Sequence, residues 1–459
     1  MDVEIPDPRV REAVRAVCEL VRAEPGGRAL LVGGCVRDAM LGRPAEDIDI
    51  EVYGVAPERL TQVLGARFRI DLVGAAFGVI KLHGMPVDVS LPRRESKAGL
   101  GHRGFEIRSD PGLSYAEAAA RRDFTINAMA VDPLASELID PFRGARDLEA
   151  RILRHTSDHF AEDPLRVLRG MQFAARFECA VAPETVKLCR AIEPEGLARE
   201  RVFDEWKKLI LQGVAISRGL AFLRDCAWIR HYPELEALVG CAQEPDWHPE
   251  GDVWVHTLHC MDAFARGRTG DAREDLIVGL AVLCHDFGKP ATTAFEDGRI
   301  RSLGHEGAGE APARAFLGRM TNQEDLIDAV VPLVTHHLRP QQYHEAGAGD
   351  GAIRRLARAV GRIDRLVRVA DADMQGRPGL PRKEFAAGAW LLARAEALAV
   401  KDAAPKPLVM GRHLLALGFA PGPALGALLA ACYEAQLDGA FATLDDGIEF
   451  ARRAAGMPK

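Results

Sequence analysis

Acidic residues alternate with isoleucines in the short run Asp47-Ile48-Asp49-Ile50-Glu51. On a β-strand every second side chain points to the same face, so the three acids of this run line up together. Paired carboxylates on a rigid strand are ligands that Mg²⁺ prefers, and two such ions clamp the attacking and leaving oxygens in phosphoryl transfer. The run therefore predicts a magnesium site for phosphoryl transfer. The structural alternative is an exposed edge strand that carries acids on its solvated face.

Two adjacent glycines precede the acidic run. Gly33-Gly34 follows an apolar, strand-like stretch and comes before a helical one, so bare backbone amides and a helix N-terminus can approach a phosphate closely. Arg37, one turn into that helix, can reach the same phosphates, whereas its structural alternative is a salt bridge with Asp38 or Asp47. Taken together, the glycines and the acids predict a triphosphate cradle followed by metal-binding carboxylates.

Imidazoles and carboxylates recur through the second half of the chain, on predicted helices or at their ends. They are His256, His285, Asp286, His305, His336, His337, Asp371 and Asp373. A lone His-Asp dipeptide is usually structural, but this series of nitrogen and oxygen ligands suits one or two divalent ions that activate water. The series therefore predicts a second metal site.

Two kinds of hydrophobic pattern indicate which secondary-structure elements position these residues. Up to about residue 150, strand-like runs such as ALLVGG, DIDIEVY, FGVIKL, VDVSL and ELIDPF mix with short helical ones. From about Leu153, long helical segments follow nearly to the end, among them PLRVLRGMQFAARF and AIRRLARAVGRIDRLVRVADADM. We therefore expect an α+β fold, in which a head with a small sheet precedes an all-helical body.

The composition is that of an ordinary globular protein. The chain has 459 residues, of which 48% are hydrophobic and 27% charged, so we expect three or four domains. The nine cysteines are scattered without a C-x-x-C pair, no secretory leader is visible, and no apolar run approaches the roughly 20 residues that span a bilayer. We therefore expect reduced thiols, a cytoplasmic location and no membrane insertion. The net charge of -7 argues against nonspecific coating of nucleic acid.

The stretch GGCVRDAMLGRPAEDIDIEVYG, residues 33–54, resembles the signature of the class II tRNA nucleotidyltransferases and related bacterial poly(A) polymerases. These enzymes belong to the polymerase-β-like nucleotidyltransferase superfamily, and the resemblance implies a head with a small mixed sheet. It also implies that Asp47 and Asp49 bind the catalytic Mg²⁺. By the same resemblance, Gly33, Gly34 and Arg37 handle the incoming nucleotide.

The resemblance and the acidic alternation assign different importance to two further acids, Asp88 and Glu51. Asp88, in VDVSLPR, occupies the place where the family often has a further acid, so we expect it to support the metal site. Glu51 is given no catalytic role by the resemblance, although the alternation alone makes it an equal third member of the acidic run.

The stretch ARRDFTINAMAVD, residues 120–132, resembles the second motif of the family. The resemblance implies that Arg122 and Asp123 contact the phosphate and sugar of the nucleotide and that Asn127 supports the site. The chemistry of the residues agrees in kind, because a triphosphate needs a guanidinium partner and a carboxylate can accept from ribose hydroxyls. For Arg122 the alternative is a surface ion pair.

The stretch EDPLRVLRGMQFAARF, residues 162–177, places Asp163, Arg166 and Arg169 at spacings of three, near one helix face. An acceptor beside a guanidinium donor matches the Watson-Crick edges of cytosine and adenine, whereas uracil and guanine present the reverse pattern. Asp163 with Arg166 would therefore accept CTP and ATP and reject UTP and GTP, the selectivity for which this family is known. The third Arg often found at the next turn is Gln172 here, which removes a charge from that nucleotide contact.

The His/Asp series resembles the HD phosphohydrolase domain that is fused to nucleotidyltransferases in many bacteria. Some family members hydrolyse 2′,3′-cyclic phosphodiesters or phosphate ends there, while in others the domain is a scaffold. The resemblance thus implies a second divalent metal site and leaves both an additional phosphohydrolase activity and a purely structural role open.

We accordingly predict four regions along the chain. They are a nucleotidyltransferase head (1–150), a helical neck and body with the nucleotide-selecting motif (151–245), an HD domain (246–380) and a helical tail (381–459), for which contact with tRNA and a plain helix-connecting role are both left open. The predicted function is template-independent, Mg²⁺-dependent addition of C and A from CTP and ATP to tRNA 3′ ends. A CC-adding, A-adding or poly(A)-adding subtype is the alternative within this class, and an HD phosphohydrolase is the alternative of another class.

Overall fold

A computed structural model describes residues 1–73, 78–97, 105–378 and 384–456. The chain divides into two compact units. The first consists of Met1–Leu209 and Arg218–Trp228, and the second of Ile210–Ser217 and Ile229–Lys459. The finer division into four regions remains a prediction.

The first unit contains a mixed, seven-stranded sheet and a separate two-stranded pair. The strands are β1 Arg28–Val32, β2 Ile48–Tyr53, β3 Ile70–Val73, β4 Val79–Leu82, β5 Val87–Ser90, β6 Arg93–Lys97, β7 Phe105–Ser109, β8 Ala130–Asp132 and β9 Glu137–Ile139. The order in the sheet is β3-β4-β5-β2-β1-β8-β9, and β6 pairs with β7. Within the seven-stranded sheet β2 and β5 run parallel, and the other neighbours are antiparallel. The predicted small mixed sheet is confirmed.

Burial along β1 and β2 explains their central position. The last four residues of β1 are all buried, as expected for a strand covered on both faces. In β2 the isoleucines Ile48 and Ile50 are buried while Asp49 between them is exposed, so the period-two pattern read from the sequence is confirmed. The sheet thus presents acidic side chains on one face and packs apolar ones behind them.

Helices surround this sheet and continue the first half of the chain. They are α1 Pro8–Arg22, α2 Gly34–Met40, α3 Pro57–Gly65, α4 Tyr115–Ala119, α5 Gly144–Glu149, α6 Leu165–Arg176, α7 Pro183–Arg190, α8 Arg199–Gln212 and α9 Ile216–Asp225. Single 3₁₀ turns cover Thr125–Asn127, Asp158–Glu162 and Trp228–His231, and the short strands β10 Ile152–Leu153 and β11 Ala180–Val181 pair in parallel. The nucleotide-selecting stretch of the sequence is therefore helical, as predicted, from Leu165 onward.

The rest of the chain is helical apart from one hairpin. Its helices are α10 Pro233–Glu236, α11 Val253–Arg266, α12 Ala272–Cys284, α13 Lys289–Thr292, α14 His305–Ala308, α15 Glu310–Met320, α16 Glu324–His336, α17 Arg339–Ala346, α18 Asp350–Val360, α19 Ile363–Gln375, α20 Ala386–Ala397, α21 Gly411–Ala416, α22 Pro423–Leu437 and α23 Leu444–Ala454. The hairpin pairs β12 Thr293–Glu296 with β13 Arg299–Ser302. From Asp275 to its end α12 is buried, so this helix forms the centre of the second unit.

One predicted helical segment is interrupted. The stretch AIRRLARAVGRIDRLVRVADADM forms two helices, α18 and α19, that are separated by Gly361 and Arg362. Gly361 has a φ of +71° and therefore ends α18 in a left-handed conformation. Arg362 is extended, at φ -139° and ψ 119°, and precedes the first turn of α19. The helical spacing was therefore read correctly, but it did not reveal the turn at the glycine.

Candidate functional site

The paired acids of the head lie on adjacent strands. Asp49 of β2 is in register with Asp88 of β5, and because the two strands run parallel, both side chains point to the same face. Asp47 lies just before β2, and all three acids line one open cavity of about 730 Å³. Lys81 Nζ donates to Asp88 Oδ2 at 2.6 Å. The structure thus brings together the two predicted metal ligands and the predicted supporting acid.

The electrostatics of Asp49 fit a cation in this cavity. Partial loss of hydration is the largest cause of its raised pKa; Arg122 opposes the rise, and the neighbouring Asp88 and Asp47 carboxylates add to it. Hard carboxylate oxygens on a rigid strand are the donor set that Mg²⁺ requires. The residues present therefore fit a divalent ion.

Gly33 lies beside these acids at the end of β1. Its φ of +76° and ψ of -130° belong to a region that residues with a side chain rarely adopt. A Cβ atom at this position would lie 3.1 Å from Arg122 Nη1 and 3.7 Å from Asp49 Oδ2. The glycine therefore leaves open the space between a guanidinium and a carboxylate that is predicted to bind metal. Gly34, the first residue of α2, has Arg37 Nη2 3.5 Å from its hypothetical Cβ.

Glu51 supports Arg122 from the same strand face. Its Oε2 lies 3.7 Å from Arg122 Nη2, and the Tyr53 hydroxyl donates to the same oxygen. Burial opposes protonation of Arg122, but Glu51 and the neighbouring Tyr115 outweigh it and keep the pKa of Arg122 above its usual value. The sequence reading left Glu51 without a role. The signal that could have found it is the alternation itself, which places Glu51 on the face of Asp49.

Arg37 is buried in a network of planar groups. Its Nη1 donates to Asn127 Oδ1 at 2.6 Å, and its Nε and Nη2 donate to Asp38 at 3.0 and 2.9 Å. The guanidinium lies over the Phe177 ring, 4.5 Å from the ring centroid. The Asp38 salt bridge considered from the sequence is therefore present, and it fixes Arg37 against Asn127.

Asp123 ties the second motif to α6. Arg169 Nε donates to Asp123 Oδ2 at 2.7 Å, and Asn127 Nδ2 and the Phe124 amide donate to Asp123 Oδ1 at 3.0 and 2.8 Å. Burial acts to raise the pKa of Asp123, but Arg169 and Asn127 outweigh it and lower the pKa. Two predicted nucleotide-binding residues, Asn127 and Arg169, are therefore both in direct contact with a third, Asp123.

Asp163 and Arg166 have different partners. Asp163 Oδ2 accepts from Arg201 Nη2 at 2.9 Å, while Arg166 donates from Nη1 and Nη2 to the carbonyls of His159 and Arg121, both at 2.6 Å. The pair that was predicted to read a base therefore has protein partners in this nucleotide-free structure. Arg201, which the sequence reading did not single out, is the guanidinium that contacts Asp163.

Gln172 is almost completely buried on α6. It is 1% exposed, and its Oε1 has no hydrogen-bond partner among the described residues. A charged side chain would be costly at so buried a position, which suits the uncharged Gln that stands where the family often has a third Arg.

A second candidate site lies inside the helical unit, where three of four neighbouring histidines share one arrangement. The Nδ1 atoms of His285, His305 and His337 lie 2.7, 2.8 and 2.7 Å from the backbone carbonyls of Val282, Ser302 and Val334. A carbonyl can only accept, so each Nδ1 carries a proton, and the neutral form of each ring has its lone pair on Nε2. The backbone thus leaves Nε2 of these three imidazoles as the atom that can bind a metal ion.

These nitrogens and two buried acids form two neighbouring groups, and within each group the possible ligand atoms lie within 4.8 Å of one another. His305 Nε2 lies 3.3 Å from His337 Nε2, and 3.4 Å from Asp286 Oδ1. His256 Nε2 lies 3.0 Å from Asp373 Oδ1, and His285 Nε2 lies 3.2 Å from Asp286 Oδ2. Acceptors that face one another at these distances repel unless a proton or a metal cation lies between them. The donor set of imidazole nitrogens and carboxylate oxygens therefore fits a divalent transition ion.

Further observations agree with this fit. His285 Nε2 and both Asp286 oxygens are buried without a hydrogen bond among the described residues, although Lys289 Nζ lies 2.8 Å from Asp286 Oδ2. Burial, followed by the nearby His285 imidazole, lowers the pKa of His337 to about 3, so this ring is neutral at pH 7. The acids and two of the histidines line a cavity of about 340 Å³, together with Lys289 and Arg377.

Two residues of the predicted series lie outside this cluster. His336 Nδ1 lies 2.9 Å from the Pro332 carbonyl, and Asp371 Oδ1 accepts from Gln375 Nε2 at 3.4 Å. Consecutive helical residues point about 100° apart, so His336 cannot share the direction of His337. Asp371 and Asp373 likewise point to nearly opposite sides of α19. The structure therefore brings together six of the eight predicted residues, and the inclusion of His336 and Asp371 is corrected.

Three residues near this cluster were not predicted. His248 and Glu250 precede α11 in the stretch WHPEGDVWVH, and Cys260 lies one turn after His256. Cys260 Sγ lies 3.3 Å from His256 Nε2, while Glu250 Oε1 lies 2.8 Å from the Nδ1 atoms of His248 and His256. The available signal was the short spacing of an acid and two histidines around the start of one helix.

Among the described residues, no helix is long and apolar enough to cross a membrane.

Comparison with known sequences connects the head to a named family. The Poly A polymerase head domain matches residues 29–154. The multifunctional CCA protein of Laribacter hongkongensis is 39% identical over 365 residues, which cover 77% of this chain and 86% of the relative. The multifunctional CCA protein of Xanthomonas campestris pv. campestris is 37% identical over 417 residues, which cover 87% of this chain and 95% of the relative.

Solved structures share the fold. A Bacillus stearothermophilus CCA-adding enzyme in complex with CTP has a TM-score of 0.67 at 22% identity, and the match covers 98% of this chain and 99% of the other. A Thermotoga maritima CCA-adding enzyme complexed with tRNA has a TM-score of 0.58 at 19% identity, with 99% of both chains covered. The structural similarity therefore extends over both units of the chain.

Proposed function

The chain belongs to the family of multifunctional CCA proteins, and we propose that it adds C and A residues from CTP and ATP to tRNA 3′ ends. Within that family it is a nucleotidyltransferase. The observation that carries the proposal is the register of Asp49 with Asp88, which places two acids beside Asp47, Gly33 and Arg122.

Each group of the head has a task in this reaction. We assign Mg²⁺ to Asp47 and Asp49, because their hard oxygens and open cavity suit it; when bound, the ion supplies Lewis-acid stabilisation of the reacting oxygens. Gly33 leaves room for the phosphates, and Arg122, held by Glu51, offers its charge to them. The RNA 3′ hydroxyl attacks the α-phosphate and pyrophosphate leaves.

We assign selection of the base to α6 and to Asp163, which lies just before that helix. Asp163 and Arg166 are the proposed acceptor and donor for the Watson-Crick edge of C or A, and Arg169 supports the sugar-binding side through Asp123. Arg201 contacts Asp163, and two backbone carbonyls accept from Arg166. These contacts hold the proposed acceptor and donor at the start of α6.

The test offers the full chain three tRNAs, ending at the discriminator base, at C and at CC, with CTP and ATP separately and products read at nucleotide resolution. We expect C after the first two ends and A after the third. Addition of only CC, of only A or of a long A tail would identify the corresponding subtype instead. Free use of UTP or GTP would contradict the roles of Asp163 and Arg166.

The metal assignment has its own variants. Asp47→Ala or Asp49→Ala should abolish incorporation while circular dichroism shows an intact fold. Asp71→Ala is the matched control, because Asp71 lines the same cavity but pairs with His83 at 2.8 Å. Near wild-type incorporation by Asp49→Ala would contradict the assignment.

A second candidate function is metal-dependent phosphoester hydrolysis in the helical unit. The supporting observation is the convergence of His256, His285, His305 and His337 Nε2 atoms on Asp286 and Asp373. The test measures hydrolysis of nucleoside 2′,3′-cyclic phosphates with several divalent ions, alongside His285→Ala. Hydrolysis that His285→Ala abolishes supports the proposal. Absence of hydrolysis with every ion would leave this centre with a structural role.

A further inference from the structure

Glu250 is not one of the predicted metal ligands, yet its side chain is completely buried beside them. Its side chain is 0% exposed, and so is that of His256. One oxygen, Oε1, lies 2.8 Å from His256 Nδ1 and 2.8 Å from His248 Nδ1. The other oxygen, Oε2, is buried without a hydrogen-bond partner among the described residues.

A purely structural role does not account for this acid. Burying a carboxylate with one unsatisfied oxygen costs folding free energy, and an apolar residue of similar size would avoid that cost. The carboxylate is retained beside a ring whose opposite nitrogen faces Asp373 Oδ1 at 3.0 Å and Cys260 Sγ at 3.3 Å. The acid and the cluster therefore contact the two opposite nitrogens of one imidazole.

The four histidines differ in what holds their Nδ1 atoms. Backbone carbonyls hold those of His285, His305 and His337, so these three tautomers are fixed by the helices themselves. His256 is the exception, because the atom within hydrogen-bond distance of its Nδ1 is a side-chain oxygen of Glu250. Glu250 thus does for His256 what the backbone does for the other three.

We propose that Glu250 is a positioning residue of the metal centre: it keeps the proton of His256 on Nδ1 and so directs the Nε2 lone pair to the ion, with His248 as the second donor that holds the carboxylate in place. The inference rests on the proposed metal centre. A carboxylate behind a histidine ligand fixes the tautomer and the ring orientation and makes the coordinating nitrogen more basic.

The experiment titrates the full-length chain, stripped with a chelator, with Co²⁺. Visible absorption reports the ligand geometry, and chelator competition gives the Kd. Glu250→Ala removes the hydrogen bond, whereas Glu250→Gln keeps one acceptor and removes the charge. Loss of an outer partner of this kind raises the Kd about 10- to 100-fold, and we expect this range for Glu250→Ala and a smaller rise for Glu250→Gln.

Glu306→Gln is the matched control. Glu306 Oε2 lies 3.7 Å from His305 Nδ1, but the Ser302 carbonyl lies 2.8 Å from the same nitrogen. The backbone therefore already fixes that tautomer, and the Kd and the Co²⁺ spectrum should match those of the wild type.

Two further readouts separate positioning from folding. Thermal unfolding of the metal-free variants, followed by circular dichroism, identifies any variant that fails to fold; if Glu250→Ala fails, Glu250→Gln decides. Long-range ¹H–¹⁵N NMR of histidine-labelled protein, loaded with a diamagnetic divalent ion, should show His256 as the Nδ1-protonated tautomer in the wild type and a mixture in Glu250→Ala.

Wild-type Kd and tautomer in both folded Glu250 variants would overturn the inference and leave the metal centre intact. A wild-type chain that binds no Co²⁺ would overturn the metal centre and the inference together.

Discussion

The contact between Asp123 and Arg169 offers the sharpest test of the head. Asp123→Asn keeps the shape of the side chain and removes its charge, so that Arg169 loses its ionic partner. Arg169 Nε and Nη2 lie 2.7 and 2.6 Å from Asp123 Oδ2, and the side chains are 34% and 8% exposed, respectively. The variant therefore leaves a partly buried guanidinium without its nearest carboxylate.

The magnitude follows from this burial. Removing one partner of a buried ion pair costs about 3–5 kcal/mol. Because a third of the Arg169 side chain reaches water, solvent recovers part of that cost, and we expect about 2–3 kcal/mol. A factor of ten per roughly 1.4 kcal/mol converts this to about 30- to 160-fold faster amide exchange where local opening limits exchange.

Hydrogen exchange of peptides from residues 123–130 and 165–176 measures the effect without contributions from the second unit. Asp225→Asn is the matched control, because Asp225 pairs with Arg224 at 3.8 Å on the surface. That exposed pair contributes little, so exchange should not change. Arg169→Met in both backgrounds completes a double-mutant cycle, and the double variant should lose less than the sum of the single losses.

The effect of Asp123→Asn depends on pH with a defined sign. The folded-state pKa of Asp123 is lowered, so its contribution is fully present above the unfolded value of about 3.9 and is lost as the pH falls through the folded value. The difference between wild type and variant should be constant from about pH 5 to 8 and shrink below about pH 4. Equal protection of both proteins at pH 7, or additive losses in the cycle, would refute the reasoning.

Two further predictions concern single residues. Gly33→Ala should cost about 1–3 kcal/mol of backbone strain. It should also raise the KM for CTP in steady-state assays, because its Cβ would lie 3.1 Å from Arg122 Nη1. Gly42→Ala is the control: Gly42 is also at positive φ but a Cβ there would have no atom within 4 Å, so the KM should not change. Asp275→Asn should destabilise the second unit by about 2–4 kcal/mol. The reason is that this carboxylate is only 2% exposed and accepts from the Thr269 and Gly270 amides and from Arg368. Calorimetry should show a lower Tm for the second unit and an unchanged Tm for the head.

The sequence predicted what depends on local periodicity. Alternation in β2 placed Asp49 on the exposed face and Ile48 and Ile50 in the core, because the side-chain period of a strand is fixed at two. The sheet order is not local. That β5 lies beside β2 in parallel register follows from the packing of the whole head, so the position of Asp88 could be expected only from resemblance.

Contacts between distant side chains were the least predictable. Spacing placed Asp163 and Arg166 near one helix face, but it could not show that Arg201, which lies 38 residues further on, contacts the acid. Similarly, the dipeptide His336-His337 offers two candidate metal ligands. Only the direction of each side chain at the end of α16 shows that His337 belongs to the cluster and His336 does not. Such choices depend on tertiary structure.

Two acids to which sequence reasoning gave no role, Glu51 and Glu250, share one physical role. Glu51 lies behind Arg122 and Glu250 behind His256, and in each case an acid of no assigned chemistry contacts a side chain whose other end faces the proposed reaction site. A cationic or metal-binding group works only if its direction and charge state are fixed before the ligand arrives, and a partly or fully buried carboxylate fixes both. Motifs reveal the group that meets the ligand, because its chemistry is specific. The acid behind it can come from any nearby element, so its position becomes visible only in the folded chain.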